Sequence, residues 1–299
     1  MSIRLSLLAA TVLAAAAALP AHAVPLVGLV GNNQLIGFDS ATPGTVTSTL
    51  TVTGLSAGEV IRGIDFRPSN GVFYGLGQSG SLFTVNTATG AATVVGTVAG
   101  LTGPDYGFAF NPVPDAIRIV NANDQNLRIT TLNATPTTNT DTALAYAAGD
   151  VNANRNPVVT AVAYTNQVPG TVTATTLYGL DAATDSLVLQ NPPNNGTLNT
   201  VGNGLGVNLA NSGDDIGFDI DGASGAAFAS ITLNNGSSAL YSIGLTSGVA
   251  TLIGGFSTNS VRDIAVGSLG GATNVPEPAS MALLGLGLAG LMMARRRTR

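Results

Sequence analysis

Four short apolar runs, GIDF, VFYGL, SLFTV and ATVVGTV, follow one another between residues 63 and 98, with turn signals at 68–71, 77–80 and 86–90. Each run has strand length, and the separators are Gly, Asn, Ser and Pro, residues that bend a chain for identifiable backbone reasons. The spacing predicts one four-stranded antiparallel meander. This unit is the template against which the rest of the chain is read.

Weaker copies of its runs recur. The third run, Leu82-Phe83-Thr84-Val85, is echoed by Leu35-Ile36-Gly37-Phe38, Leu127-Arg128-Ile129-Thr130, Leu177-Tyr178-Gly179-Leu180 and Leu240-Tyr241-Ser242-Ile243. The first run, Gly63-Ile64-Asp65-Phe66, is echoed at 107–110, 161–164, 217–220 and 263–266. A period of roughly 45–60 residues with four strands per unit points to propeller blades. Residues 24–53 carry the second, third and fourth runs without a first, and 261–267 supply a first run with nothing after it. Joined, they complete one blade and remove two free sheet edges. With full units at 63–98, 107–146, 159–202 and 217–256, the reading is an all-β, five-bladed β-propeller closed by the C-terminal strand. A β-sandwich is the structural rival. Blades pack through both faces, so inner runs should be nearly continuously apolar. Gly63, Gly107 and Gly217 begin inner strands, where neighbouring blades crowd and a side chain is costly.

Residue types narrow the chemistry. The chain has no Cys and no Lys, and its one histidine, His22, lies in a segment read below as removed on export. Without His, Cys and Lys there is no Ser-His-Asp or Cys-His nucleophile, no Schiff-base or phosphate-loop lysine and no His- or Cys-ligated zinc. Hydrolysis by a carboxylate pair and an oxygen-liganded cation such as Ca2+ stay open. Between residues 24 and 274, six arginines face fifteen Asp and Glu, a net of −9. Such a surface repels phosphate backbones, so no nucleic-acid partner is expected.

The two ends read as addresses. Residues 1–23 have Arg4, an apolar run and then Ala21-His22-Ala23, the pattern of a signal peptide cut after Ala23 by signal peptidase. Residues 275–299 carry Pro276-Glu277-Pro278, an apolar run from Met281 to Ala294, and a basic cluster with Arg295, Arg296 and Arg297. This order resembles the PEP-CTERM sorting signal of Gram-negative bacteria. The resemblance implies recognition by an exosortase, a transient membrane association through the tail, removal of the tail, and delivery to the cell surface or extracellular matrix. Such systems accompany exopolysaccharide production. The organisation is thus a signal peptide at 1–23, a propeller at 24–267, a linker at 268–274 and a sorting tail at 275–299.

Candidate sites are few. Gly75-Leu-Gly77-Gln-Ser-Gly80 matches a dinucleotide fingerprint but sits between two strand runs with no helix after it, so it reads as a hairpin turn. The segments entering the inner strands place Arg62, Asp105 with Tyr106, Asp214 with Asp215, and Arg262 at equivalent points of successive blades. Loops of this kind converge at one channel mouth, where Arg, Asp and Tyr would bind polar groups of a sugar by bidentate hydrogen bonds and stacking. The bland alternative is blade-to-blade ion pairs. Asp150, Asn152 and Asn154 have the one-three-five oxygen spacing of a calcium loop but lack its sixth-position Gly and twelfth-position Glu. Asp65, Arg67 and Asn70 read as turn and strand-end chemistry.

The polar stretches 111–115 with Arg118, 125–128, 163–166 and 190–196 resemble, with the GIDFRP opening, a domain-of-unknown-function family of exported bacterial proteins with propeller-like repeats. That resemblance implies one continuous domain and brings no activity. Asp115, Arg118, Asn126 and Arg128 match its most polar motif, for which a buried structural network is the plain explanation. The functional expectation is an exported, non-catalytic module binding polysaccharide or a surface protein. Its rivals are a glycosidase using Asp105 and Asp215, and a purely structural matrix component.

Overall fold

Strands too short to bury a core alone, most of them joined to the next strand of their sheet by a short turn, must stack as separate small sheets. In the computed structural model, which describes residues 23–31, 33–103, 105–210, 215–258 and 260–270, they form five sheets. Blade I begins with β1 (Pro25–Val30), β2 (Gln34–Asp39) and β3 (Thr42–Thr51). Blade II is β4 (Ile61–Phe66), β5 (Phe73–Gly77), β6 (Ser81–Val85) and β7 (Ala92–Thr97). Blade III is β8 (Tyr106–Asn111), β9 (Ala116–Asn121), β10 (Asn126–Ile129) and β11 (Thr138–Thr140). The next strand, β12 (Ala145–Tyr146), crosses to blade IV, which continues with β13 (Val159–Tyr164), β14 (Leu177–Asp181), β15 (Ser186–Gln190) and β16 (Thr197–Val201). Blade V is β17 (Ile216–Ile220), β18 (Ala227–Thr232), β19 (Ser238–Ile243) and β20 (Ala250–Gly255). Finally β21 (Asp263–Val266) returns to pair antiparallel with β1, Leu26 opposite Val266 and Leu29 opposite Asp263. The protein is therefore a five-bladed β-propeller whose first blade is completed by its last strand.

The inner strands β21, β4, β8, β13 and β17 abut in that order, and β17 meets β21 again. Each blade interface has its own apolar cluster: Ile61, Ile64 and Phe73 with Leu35 between I and II, Tyr74 with Phe108 and Ile119 between II and III. Val120 with Val162 and Val188 fills III–IV, Leu180 with Phe218 and Ile231 fills IV–V, and Phe228 with Leu26 and Phe38 fills V–I. Each such side chain, fully buried, contributes about 1.5–3 kcal/mol, and the ring leaves no interface uncovered. The inner strands are apolar along nearly their whole length, as packing on both faces requires.

Glycine serves close approach at the inner-strand starts. A Cβ on Gly217 would lie 2.5 Å from the Asp263 Cα, and one on Gly63 would lie 2.5 Å from the Phe108 Cβ. The fingerprint-like 75–80 segment is the end of β5 and a tight turn into β6, with Gly80 at φ +84°.

Two local expectations are corrected. Leu177-Tyr178-Gly179-Leu180 is the second strand of its blade, because it pairs with the inner strand β13 on one side and with β15 on the other, across the long segment 165–176. Residues 145–146 belong to blade IV, where β12 lies parallel to β16 and covers the outer edge that a four-stranded blade would leave open.

Candidate functional site

The inner strands all start at one mouth of the channel, here the entry mouth, and end at the other, the exit mouth. Arg62, second residue of β4, reaches Asp105 just before β8 at 3.2 Å, joining blades II and III. Arg262, just before β21, lies 3.3 Å from Asp215, which precedes β17, and its Nη1 donates to the Ile61 carbonyl at 3.4 Å. One cation thus ties blade V to I and I to II. Arg62, Asp105, Arg262 and Asp215 thus meet at this mouth as two interblade ion pairs. All four side chains stay partly open, from 14% exposed at Asp105 to 27% at Asp215. The Arg62 Nε is buried without a hydrogen-bond partner among the described residues. Tyr106 lies elsewhere: it is buried, its hydroxyl donates to the Gly103 carbonyl, and it packs with Phe108 and Phe110. Its ring therefore lies in the II–III core, where a sugar cannot stack on it. Asp214 lies outside the described residues.

Inside the channel is a set that sequence reasoning missed. An inner strand is the edge of its blade, so its outward N–H groups need acceptors. Asp263 accepts from Ile64 N–H at 2.7 Å, Asp65 from Phe110 N–H at 2.7 Å, and Asp219 from Val266 N–H at 2.6 Å. Each carboxylate sits on one blade and caps an edge amide of another, so the three link V to I, I to II and II to III. Asp219 and Asp263 also accept the N–H of their own following residue, and Asp219 accepts Gln167 Nε2 at 3.1 Å.

Burial pushes Asp219 up to about 7, and the charge of Asp221 adds to it, against the amides of Val266 and Ile220. Burial, then the charge of Asp219, raises Asp65 well above the carboxylate range. Burial raises Asp263 likewise. The legible signal was the Asp in the third place of two first-run copies, 65 and 219. Asp65 is thus an interblade clamp and not strand-end chemistry. Below it, at the exit mouth, Asp65, Arg67, Gln167, Asp219 and Asp221 help line a cavity of about 240 Å³.

The family-like polar motif divides in two. Buried Arg118 on β9 donates to Asn126 at 2.7 Å, Asp141 at 2.7 Å and Asn194 at 2.6 Å. Arg128 holds both oxygens of the same Asp141 at 3.1 Å, and Gln190 reaches Asn126 from blade IV at 3.2 Å. Burial alone would raise the Asp141 carboxyl, but the hydrogen bonds from Arg128 and Arg118 hold it below its ordinary value. This network knits blade III to IV. Asp115 stands apart: it accepts Arg67 Nε at 2.9 Å and Nη2 at 2.5 Å at the exit mouth, and those bonds lower its carboxyl.

Asp150 is occupied by Thr200, accepting its N–H at 2.6 Å and its hydroxyl at 2.7 Å, and by Asn152 N–H at 2.8 Å. Asn152 in turn donates its side chain to Thr200, and Asn154 takes a turn conformation at φ +68°. Among the described residues, no group of three or more His, Cys, Asp or Glu is placed to hold a metal. Ala23 is the first described residue, and the rest of the signal-peptide segment lies outside the described residues, as do Pro276, Glu277, Pro278, Arg295, Arg296 and Arg297.

Residues 34–265 match the family model described as Domain of unknown function (DUF4394), and residues 274–297 match the PEP-CTERM protein-sorting motif. No curated protein matches the chain. Among solved structures, a structural genomics protein of unknown function from Bacteroides thetaiotaomicron VPI-5482 is similar at 15% identity, with a TM-score of 0.48. The match covers 82% of this chain and 64% of that one, so the chain spans less than two thirds of that protein.

Proposed function

This chain belongs to the DUF4394 family and carries an exosortase-recognised PEP-CTERM motif; we propose that it is a non-catalytic binding module of the cell surface or matrix. It is an exported protein of a Gram-negative bacterium, sorted by an exosortase. In this reading, signal peptidase cuts after Ala23, the exosortase removes the tail, and the unit spanning 24–267 engages polysaccharide or another surface protein.

One observation carries the reading: four partly open charged side chains from four different blades, Arg62, Asp105, Asp215 and Arg262, stand at one mouth in two preformed pairs. A guanidinium held by a carboxylate is oriented in advance, so a hydroxyl or carboxylate arriving beside it meets donors that need no further ordering. Arg62 already shares its fork between Asp105 and Gln78, the geometry of a planar polar binding edge. The missing nucleophile and base types favour binding over turnover.

The test is retention. Domain 24–270 on beads should hold the host's exopolysaccharide or one class of its surface proteins, and R62A/R262A should lose that retention while keeping its fold. Retention of neither class by the intact domain contradicts the proposal.

A further inference from the structure

The sorting tail leaves the ring at a defined place. After β21, Gly267 N–H donates to the Pro25 carbonyl at 2.9 Å, Leu269 is buried in the blade I–II cluster, and Gly270 N–H donates to Thr87 O at 2.7 Å. Thr87 lies in the turn between β6 and β7. β4 runs from entry to exit and β5 returns, so β6 ends, and this turn sits, on the exit face. The described chain is therefore pinned to the exit face up to Gly270. Val24 is on the same face, accepting from Ser40 N–H where β1 begins.

Beyond Gly270 comes the sorting motif at 274–297, whose apolar run begins at Met281 and is followed by Arg295, Arg296 and Arg297. The eleven residues from Gly270 to Met281 span at most about 40 Å when fully extended, and Pro276 and Pro278 stiffen them. A blade strand of six residues is about 20 Å tall, and neighbouring strands are about 4.8 Å apart. Turning the entry mouth to the membrane would send this segment around the blade rim and up the whole strand height, using roughly 25 Å of that reach before it met lipid. With the exit face down, the apolar run enters lipid with slack.

We propose that, while the tail is attached, the exit face is the membrane-proximal surface of the propeller and the entry mouth faces away from the lipid. The partner of the exit face is the lipid surface into which this chain's own apolar run inserts. The Arg62–Asp105 and Arg262–Asp215 pairs are then presented outward before the tail is removed. The cavity beside Asp65 and Asp219 is turned inward until release. This orientation rests on the exit point of the tail and stands whether or not the entry mouth binds a polysaccharide.

The chain has no cysteine, so single cysteines report position cleanly. Ala57 and Ala99 are exposed on the entry side, in the loops after β3 and β7, and Ala88 and Ala223 are exposed in exit-side turns. Full chain bearing its tail, with one fluorophore at A57C, A99C, A88C or A223C, is reconstituted into phosphatidylethanolamine–phosphatidylglycerol vesicles containing a headgroup nitroxide lipid. Quenching at 88 and 223 should exceed that at 57 and 99 by roughly twofold or more, since the faces stand a strand length of about 20 Å apart. A chain ending at 270 should show no quenching at any site. Equal quenching at all four sites, stronger quenching at 57 and 99, or none in the full chain overturns the orientation.

Discussion

The carboxylate of Asp263 in β21 accepts the backbone N–H of Ile64 in β4 at 2.7 Å, across 199 residues of sequence. The bond joins the last strand of the chain to the first complete blade, and the amide it satisfies has no ladder partner on that side. Replacing Asp263 by Ala leaves a buried N–H unpaired, which costs about 1–3 kcal/mol. Asn keeps an acceptor and should lose roughly half as much by the same principle. Denaturant unfolding of the two variants beside wild type measures the difference, and equal losses for Ala and Asn would remove the clamp role.

The channel carboxylates set a pH dependence with a definite sign. Asp219 stands at about 7 in the folded chain against an ordinary 3.8, so the native state holds the extra proton between those values. Its contribution is complete below about pH 4 and is lost as pH rises through about 7. Asp65 and Asp263, also raised, act in the same direction. Asp115 and Asp141 are lowered, so their contribution is lost as pH falls through the acid range. Stability should therefore peak in mildly acidic solution, and D219N should flatten the decline toward neutral pH. Melting temperatures across pH 3–9 for both proteins check this. A wild-type optimum above about pH 7 would contradict the assignment.

Arg118 should be the most sensitive side chain of the III–IV seam. Its removal takes from the largely buried Asp141 the more enclosed of its two guanidinium partners and from Asn126 a donor, and breaking a buried ion pair from one side costs about 3–5 kcal/mol. Arg128 contacts the same Asp141 from a more open position and should cost nearer 1 kcal/mol. Comparing R118M with R128M by unfolding tests the ranking.

The blade order was legible because turn chemistry and strand-length runs are local, and the split blade left a visible remainder at each end. Tyr106 shows where that reading stopped. Its neighbour Asp105 does reach the mouth, but whether an aromatic one residue further on faces solvent or core depends on side-chain direction at a strand start. Asp65 shows the same limit in reverse. Beside Arg67 and Pro68 it looks like a turn residue, and its partner Phe110 lies on another blade. Leu177-Tyr178-Gly179-Leu180 was placed one strand too late because second and third strands carry the same apolar pattern, and only the ladder with β13 distinguishes them.

The entry-mouth pairs offer a way to separate fold from binding. Exchanging partners as R62D/D105R keeps an interblade pair, so unfolding should move by no more than about 1 kcal/mol. Ligand retention should fall, because the donors and acceptors have traded places. Unchanged retention would make the pair purely structural.

Ring closure is the premise of every mouth and channel described above, and the Ile64 amide reports it. Hydrogen exchange at that amide should be slow, near the rate of global unfolding, in a chain ending at 270. It should become fast in a chain ending at 260, and slow again when a peptide of residues 261–270 is added. Equal protection in the chains ending at 260 and 270 would show that β21 does not close the ring.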